Sequence, residues 1–223
     1  MAYTYDLHPE NPQTKRIERI VDALRGGAVM LYPTDTVYAI GCDLGNKAAI
    51  ERVQRLKRGG NPHLTLLCPS LSNVATYARV DDAAYRLMRH LIPGPFTFIL
   101  PATRQLPRLV LDPKRRTAGL RVPDSAIVRG LLDILGNPLV STSARLADSR
   151  EPLHEYELFD ELEPLVDLIV RVDPTFAGDG NPANQVSTVL DFTGDSPEVV
   201  RRGLGWERLA TFLPRSDRQA VES

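Results

Sequence analysis

A chain of 223 residues, 43% of them hydrophobic, can bury one substantial core, so a single domain over residues 1–214 with a polar tail at 215–223 is the expectation. No run of about 18 apolar residues occurs, and the start Met1-Ala2-Tyr3-Thr4-Tyr5-Asp6 lacks the basic and apolar regions of a secretory signal, which points away from membranes and toward the cytoplasm. A formal net charge of −1 predicts no polyanion partner by itself, and Cys42 and Cys68, without metal-ligand spacing, read as reduced, buried thiols.

In chain order, Asn11 can cap a helix with Pro12 in its first turn, and Ile17, Ile20, Val21 and Leu24 give that helix an apolar stripe before Gly26-Gly27 ends it. The run Ala28-Val29-Met30-Leu31 reads as a buried strand. Pro33 stops it, because the ring fixes φ and supplies no N–H to a ladder. Thr34, Asp35, Thr36 and Tyr38 then form a hydroxyl-rich loop leading to Gly41, and loops at strand exits are where open α/β sheets hold ligands. A second helix from about Asn46 buries Ile50, Val53 and Leu56 and breaks at Gly59-Gly60, and residues 64–67 form a short strand. A helix capped by Asp81 or Asp82 carries Tyr85, Met88 and Leu91 and is stopped by the rigid turn Pro93-Gly94-Pro95. Residues 96–100 read as a strand and Leu120-Arg121-Val122 as the end of another. The helix from about Ser125 buries Val128, Leu131, Leu132 and Leu135, with Gly136 at its C-terminal end. Leu139-Val140-Ser141 is a strand opening into Thr142-Ser143-Ala144-Arg145, whose hydroxyls suit either a cap or an anion site. Strands at 168–172, 188–191 and 199–201 and a short helix at 206–212 complete the chain, and 173–185 is the longest loop, a candidate lid. Helices and strands alternate early and strands crowd late, which predicts an α/β fold with a mixed sheet layered by helices.

Chemistry is not announced by any single signature. The histidines His8, His63, His90 and His154 have no paired spacing, and there is no nucleophile elbow or phosphate-binding P-loop. Charge, however, is unevenly placed. Between residues 101 and 121, Arg104, Arg108, Lys114, Arg115, Arg116 and Arg121 stand against Asp112 alone, while between 148 and 167 eight acids face only Arg150. With Arg52, Arg55, Lys57 and Arg58, and with Arg201 and Arg202, this makes three basic clusters. Converging in space they would form an anion-binding field; scattered, they are ordinary solvated faces. Hydroxyls and cations together suit phosphate and carboxylate.

Six segments taken in order resemble the YrdC-like family of threonylcarbamoyl-AMP synthases. They are Tyr32-Pro33-Thr34-Asp35-Thr36-Val37-Tyr38, Asn61-Pro62, Pro93-Gly94-Pro95-Phe96-Thr97, Gly119-Leu120-Arg121-Val122-Pro123, Pro138-Leu139-Val140-Ser141-Thr142-Ser143-Ala144 and Ser187-Thr188-Val189-Leu190-Asp191. The resemblance implies a single-domain twisted sheet, mixed parallel and antiparallel, with flanking helices around a large basic cavity. It also implies an enzyme that makes threonylcarbamoyl-adenylate from L-threonine, bicarbonate and ATP, with Mg²⁺ accompanying the ATP, releases pyrophosphate, and serves modification of adenosine 37 in tRNA. On the same basis Thr34 and Arg121 would hold threonine. Lys57, Arg58 and Ser143 would act on the triphosphate, and Ser141, Ser143, Arg145, Ser187, Thr188 and Arg202 would line the nucleotide.

Two motifs depart from the family pattern. Where it has Lys-x-Arg, this chain has Lys57 and Arg58 adjacent; where it has Ser-x-Asn, this chain has Ser143-Ala144-Arg145. Arginine brings five donors and no acceptor in place of a short amide. The pattern is similar to the YciO branch of the family. An alternative expectation is a protein that holds double-stranded RNA or tRNA through the basic clusters, with a degenerate synthase site.

Overall fold

The computed structural model describes residues 2–57, 64–144, 155–176, 185–194 and 196–212. In chain order these form β1 (Tyr3–Leu7), α1 (Thr14–Arg25), β2 (Met30–Tyr32), β3 (Ala39–Asp43), α2 (Lys47–Leu56), β4 (Thr65–Leu67), α3 (Leu71–Tyr77) and α4 (Asp82–Leu91). There follow β5 (Phe96–Pro101), β6 (Thr117–Arg121), α5 (Ala126–Leu135), β7 (Leu139–Ser143), α6 (Glu155–Leu162), β8 (Leu168–Val172), β9 (Thr188–Asp191), β10 (Glu198–Arg201) and α7 (Trp206–Ala210).

All the described strands join one ten-stranded sheet in the order β1-β8-β2-β3-β7-β4-β6-β5-β9-β10. β8 runs parallel to both β1 and β2, β4 to β6, and β5 to β9; the remaining neighbours are antiparallel. The mixed single-domain α/β sheet expected from the element order is therefore present.

Capping residues begin the helices where the sequence places them. Asn46 accepts from the Ala49 N–H at 3.0 Å, Asp81 from Ala84 at 2.8 Å and Ser125 from Val128 at 3.3 Å. Gly136 closes α5 in the left-handed region (φ 75°). α1 departs from expectation. It starts at Thr14, behind a Gln13 that makes no side-chain cap bond, while the N–H groups of Glu10 and Asn11 donate to His8 Nδ1 at 3.1 Å each. In α4 the buried position expected of Tyr85 is taken by Ala84, and Tyr85 is 50% exposed. β1, β3, α3 and α6 were not foreseen, and Thr142 and Ser143 continue β7 rather than opening a loop. α7 ends at Ala210 rather than at Phe212.

Strand alternation gives the sheet two different faces. Leu31, Ile40, Val140, Leu66, Leu120, Phe98 and Leu190 pack with Val53 of α2, Val74 of α3 and Met88 and Leu91 of α4. On the opposite face Met30, Leu139, Leu67, Leu168 and Val170 pack with Ile17, Ile20, Val21 and Leu24 of α1 and with Ile127, Val128, Leu131, Leu132 and Leu135 of α5. Arg25 ties these two helices by donating to the Ile134 carbonyl at 2.7 Å. Among the described residues no helix is long and apolar enough to cross a membrane.

Cys42 and Cys68 are free and buried, and burial pushes both thiols up to about 12. Neither is expected to react with a disulfide reagent at pH 8 in the native protein, whereas both should titrate in denaturant. Leu131→Ala is expected to cost about 2–5 kcal/mol in urea unfolding, and Tyr85→Ala no more than about 0.5 kcal/mol.

Candidate active site

Residues paired directly across neighbouring strands share a face, so the register assembles a floor. Gly41, Ser141, Thr65 and Gly119 lie in one row across β3, β7, β4 and β6. Ser143 stands two residues from Ser141 on the same face, and Arg121 two residues from Gly119. Tyr32 crosses Gly41: a Cβ there would stand 2.9 Å from the Tyr32 ring and 2.8 Å from the Val140 carbonyl oxygen. Its phenol donates to Ser141 Oγ at 2.7 Å, and burial pushes its pKa up, so it stays a neutral donor. Beside it Gly119 is closely approached, since a Cβ would meet Thr65 Oγ1 at 3.2 Å and Thr97 Cγ2 at 3.5 Å. Thr97 and Ser187 share a hydrogen bond of 2.8 Å between their hydroxyls. Arg201 holds Ser187 twice, at its hydroxyl (3.1 Å) and its carbonyl (3.0 Å). The result is a chain of hydroxyls around two glycines, on a face whose other half is apolar core.

The β2–β3 loop, residues 33–38, supplies a second group of polar side chains. Thr34 Oγ1 donates to the Val37 carbonyl at 2.7 Å and accepts from the Thr36 N–H at 3.1 Å, a local turn that fixes the loop. Thr36 Oγ1, 3.0 Å from that of Thr34, accepts from Arg121 Nη1 at 2.8 Å. Asp35 takes Arg121 Nη2 at 2.5 Å on one oxygen and the Asp124 N–H at 3.0 Å on the other. The Arg121 and Asp35 side chains are only 7% and 10% exposed. The rigid turn before β5 closes the same corner, with Gly94 donating to the Val122 carbonyl at 2.9 Å.

Several expected site residues are brought together. Lys57 Nζ lies 3.4 Å from Ser143 Oγ, joining the end of α2 to the end of β7. Ser141 and Ser187 belong to the floor. Arg121 meets the loop through Thr36 and Asp35, with Thr34 bracing Thr36 rather than bonding Arg121 itself.

Two expected site residues are placed elsewhere. Thr188 faces away from Ser187 by strand alternation, is fully buried, and uses its hydroxyl on the Leu204 carbonyl (3.0 Å) and the Gly203 N–H (3.1 Å). Arg202 stacks its guanidinium over Trp206 at 4.1 Å, and its neighbour Arg201 is the one that reaches the floor. Arg58, Arg145, His63, the Asn61-Pro62 pair, residues 177–184 of the candidate lid and the 215–223 tail lie outside the described residues.

Among the described residues three members of the basic clusters have acidic partners, one of them Arg121 with Asp35. Arg52 donates to both oxygens of Asp167 (2.7 and 3.1 Å), and Arg115 pairs with Asp191 at 2.6 Å. The floor residues Thr65, Thr97 and Arg201 and the loop pair Asp35–Thr36 were not singled out as site residues. Strand parity running from Thr97 through its partner Val189 to Arg201 is the signal that could have chosen Arg201 over Arg202.

The Sua5_yciO_yrdC family model, described as "Telomere recombination", matches residues 22–203. The chain belongs to this family. It is 42% identical over 207 residues to the uncharacterized protein YciO of Escherichia coli K12, covering 92% of this chain and 97% of that protein. The crystal structure of E. coli YciO matches with a TM-score of 0.82 at 41% identity, covering 92% of this chain and 97% of that one. A threonylcarbamoyl-AMP synthase of Mus musculus is 31% identical over 202 residues, 90% of this chain and 71% of that protein. P. abyssi Sua5 complexed with L-threonine, at 23% identity and a TM-score of 0.79, shares the fold over 91% of this chain and 58% of that one.

Removing one partner of a buried ion pair strands the other. Asp35→Ala is expected to cost about 3–5 kcal/mol in urea unfolding, and Asp35→Ala combined with Arg121→Met to recover most of that loss. Additive losses in the double variant would show that the two groups do not depend on each other.

Proposed function

We propose that the protein is a threonylcarbamoyl-adenylate synthase, converting L-threonine, bicarbonate and ATP to threonylcarbamoyl-AMP and pyrophosphate, with the product used to modify adenosine 37 of tRNA. The observation that carries this reading is the buried Arg121, fixed by Thr36 and Asp35 beside a floor of hydroxyls. A guanidinium held in one orientation, with a second hydrogen on each Nη beyond these contacts, suits a planar carboxylate. On this reading Arg121 and the loop braced by Thr34 receive the amino acid. Lys57 and Ser143 receive the phosphates, joined by Arg58 and Arg145 from the adjoining segments. Ser141, Ser187 and Arg201 line the nucleotide side, with Arg202 and Thr188 supporting that side from behind.

The threonine ammonium gives a proton to solvent, and the free amine takes up bicarbonate with loss of water to give the carbamate. A carbamate oxygen then bonds to the α-phosphorus as the bond to pyrophosphate breaks. Negative charge moves onto the departing phosphates, so the chain's contribution is positioning and cations rather than a strong base. Among the described residues no group of three or more His, Cys, Asp and Glu is gathered to hold a metal ion. Mg²⁺ would enter with the ATP phosphates and would neutralise their charge.

Incubation with threonine, bicarbonate, Mg²⁺ and ATP is expected to yield the adenylate by mass spectrometry, with matching pyrophosphate; neither above background would refute the synthase reading. Arg121→Lys is expected to raise KM for threonine by about tenfold or more with KM for ATP little changed, and Lys57→Ala to do the reverse.

A further inference from the structure

We infer that Asp35 determines the specificity of the Arg121 subsite, by setting its charge so that it takes a zwitterionic amino acid and refuses a simple carboxylic acid. The inference rests on the proposed placing of the amino acid at Arg121 and extends it to what the subsite rejects. Arg121 alone would be a buried cation open to any carboxylate. With Asp35 at 2.5 Å the pair is neutral, and both side chains are about nine-tenths buried, at 7% and 10% exposure. Its further partners, the Thr36 hydroxyl and the Gly94 carbonyl, are uncharged. The nearby carboxylate of Asp124 does not alter this balance, because it is 63% exposed and lies 3.5 Å from Arg129.

A carboxylate without an ammonium, entering beside this pair, adds an uncompensated negative charge next to Asp35 where water screens little. A zwitterion adds no net charge. Its carboxylate meets the remaining Nη hydrogens of Arg121, and its ammonium meets the lone pairs of Asp35 that Arg121 and the Asp124 N–H leave unused. Discrimination then comes from repulsion built into the site, not only from attraction.

The test is calorimetric titration of the wild-type protein with L-threonine and with 3-hydroxybutyrate, which keeps the carbon skeleton, hydroxyl and carboxylate but lacks the ammonium. 3-Hydroxybutyrate is expected to bind about tenfold or more weaker. Asp35→Asn, its folding checked by circular dichroism, is expected to narrow that preference about tenfold, chiefly by tightening 3-hydroxybutyrate, and Asp35→Glu to restore it. Equal binding of the two ligands by the wild type overturns the inference without recourse to a variant, as does an unchanged preference in folded Asp35→Asn. Failure of the wild type to bind threonine at all overturns the amino-acid reading itself, and the inference with it.

Discussion

A guanidinium taken out of water costs several kcal/mol unless its donors are met and its charge is balanced, and Arg121 imposes that requirement at the end of β6. The side chain reaches to a loop that belongs to another part of the sheet, between β2 and β3. There the local turn made by Thr34 presents the Thr36 hydroxyl and the Asp35 carboxylate together. Asp35 passes the constraint on, because its second oxygen takes the Asp124 N–H just ahead of the Ser125 cap of α5. α5 in turn packs with α1 over the second core. One buried cation thus couples a strand end, a loop and a helix start, and on the proposed reading the groups that neutralise it are the groups offered to a ligand.

Strand parity does the complementary work. The same alternation that turns Leu66, Leu120, Phe98 and Val140 into core turns Thr65, Gly119, Thr97 and Ser141 to the other face. Where α1 and α5 pack, that second face is apolar too, with Leu139 and Leu67 beneath them. The polar residues follow next to them along the same strands. Gly41 gives Tyr32 room to reach Ser141, and Gly119 lets Thr65 and Thr97 approach its backbone closely. Either glycine replaced by a larger residue would fill the floor from below, which gives these positions a physical reason to be small.

Much of the fold could be read before the structure was known, because capped helices with one apolar face are local objects. Asn46, Ser125 and Gly136 mark helix ends through bonds within a few residues of themselves. What could not be read depends on distant partners. β3 is buried at every position, so it shows no alternation, and its Gly41-Cys42-Asp43 resembles loop chemistry until β2 and β7 flank it. Ser141-Thr142-Ser143 has the composition of a cap and becomes strand only by pairing with β3. The choice of Arg201 over Arg202 beside Ser187 turns on a single residue of phase, and that of Thr36 over Thr34 beside Arg121 on how the β2–β3 loop turns. No pattern in the local sequence fixes that phase without the register.

The two halves of the site differ in how far they are built in advance. Around Arg121 the contacts are short, mutual and buried, down to 2.5 Å at Asp35. At Ser143 one contact among the described residues is a 3.4 Å approach of the Lys57 amine, which is long for a hydrogen bond. On the proposed reading this asymmetry matches the ligands. An amino acid has few atoms with which to offset the ordering of a loop, so its subsite has to be ordered by folding itself. A triphosphate carries enough charge to draw flexible cations around it, so its subsite can be completed on binding. The two departures from the family pattern begin at Lys57 and Ser143, the residues that make this longer contact. The Arg121 half is held by the fold, through contacts that are buried and mutual.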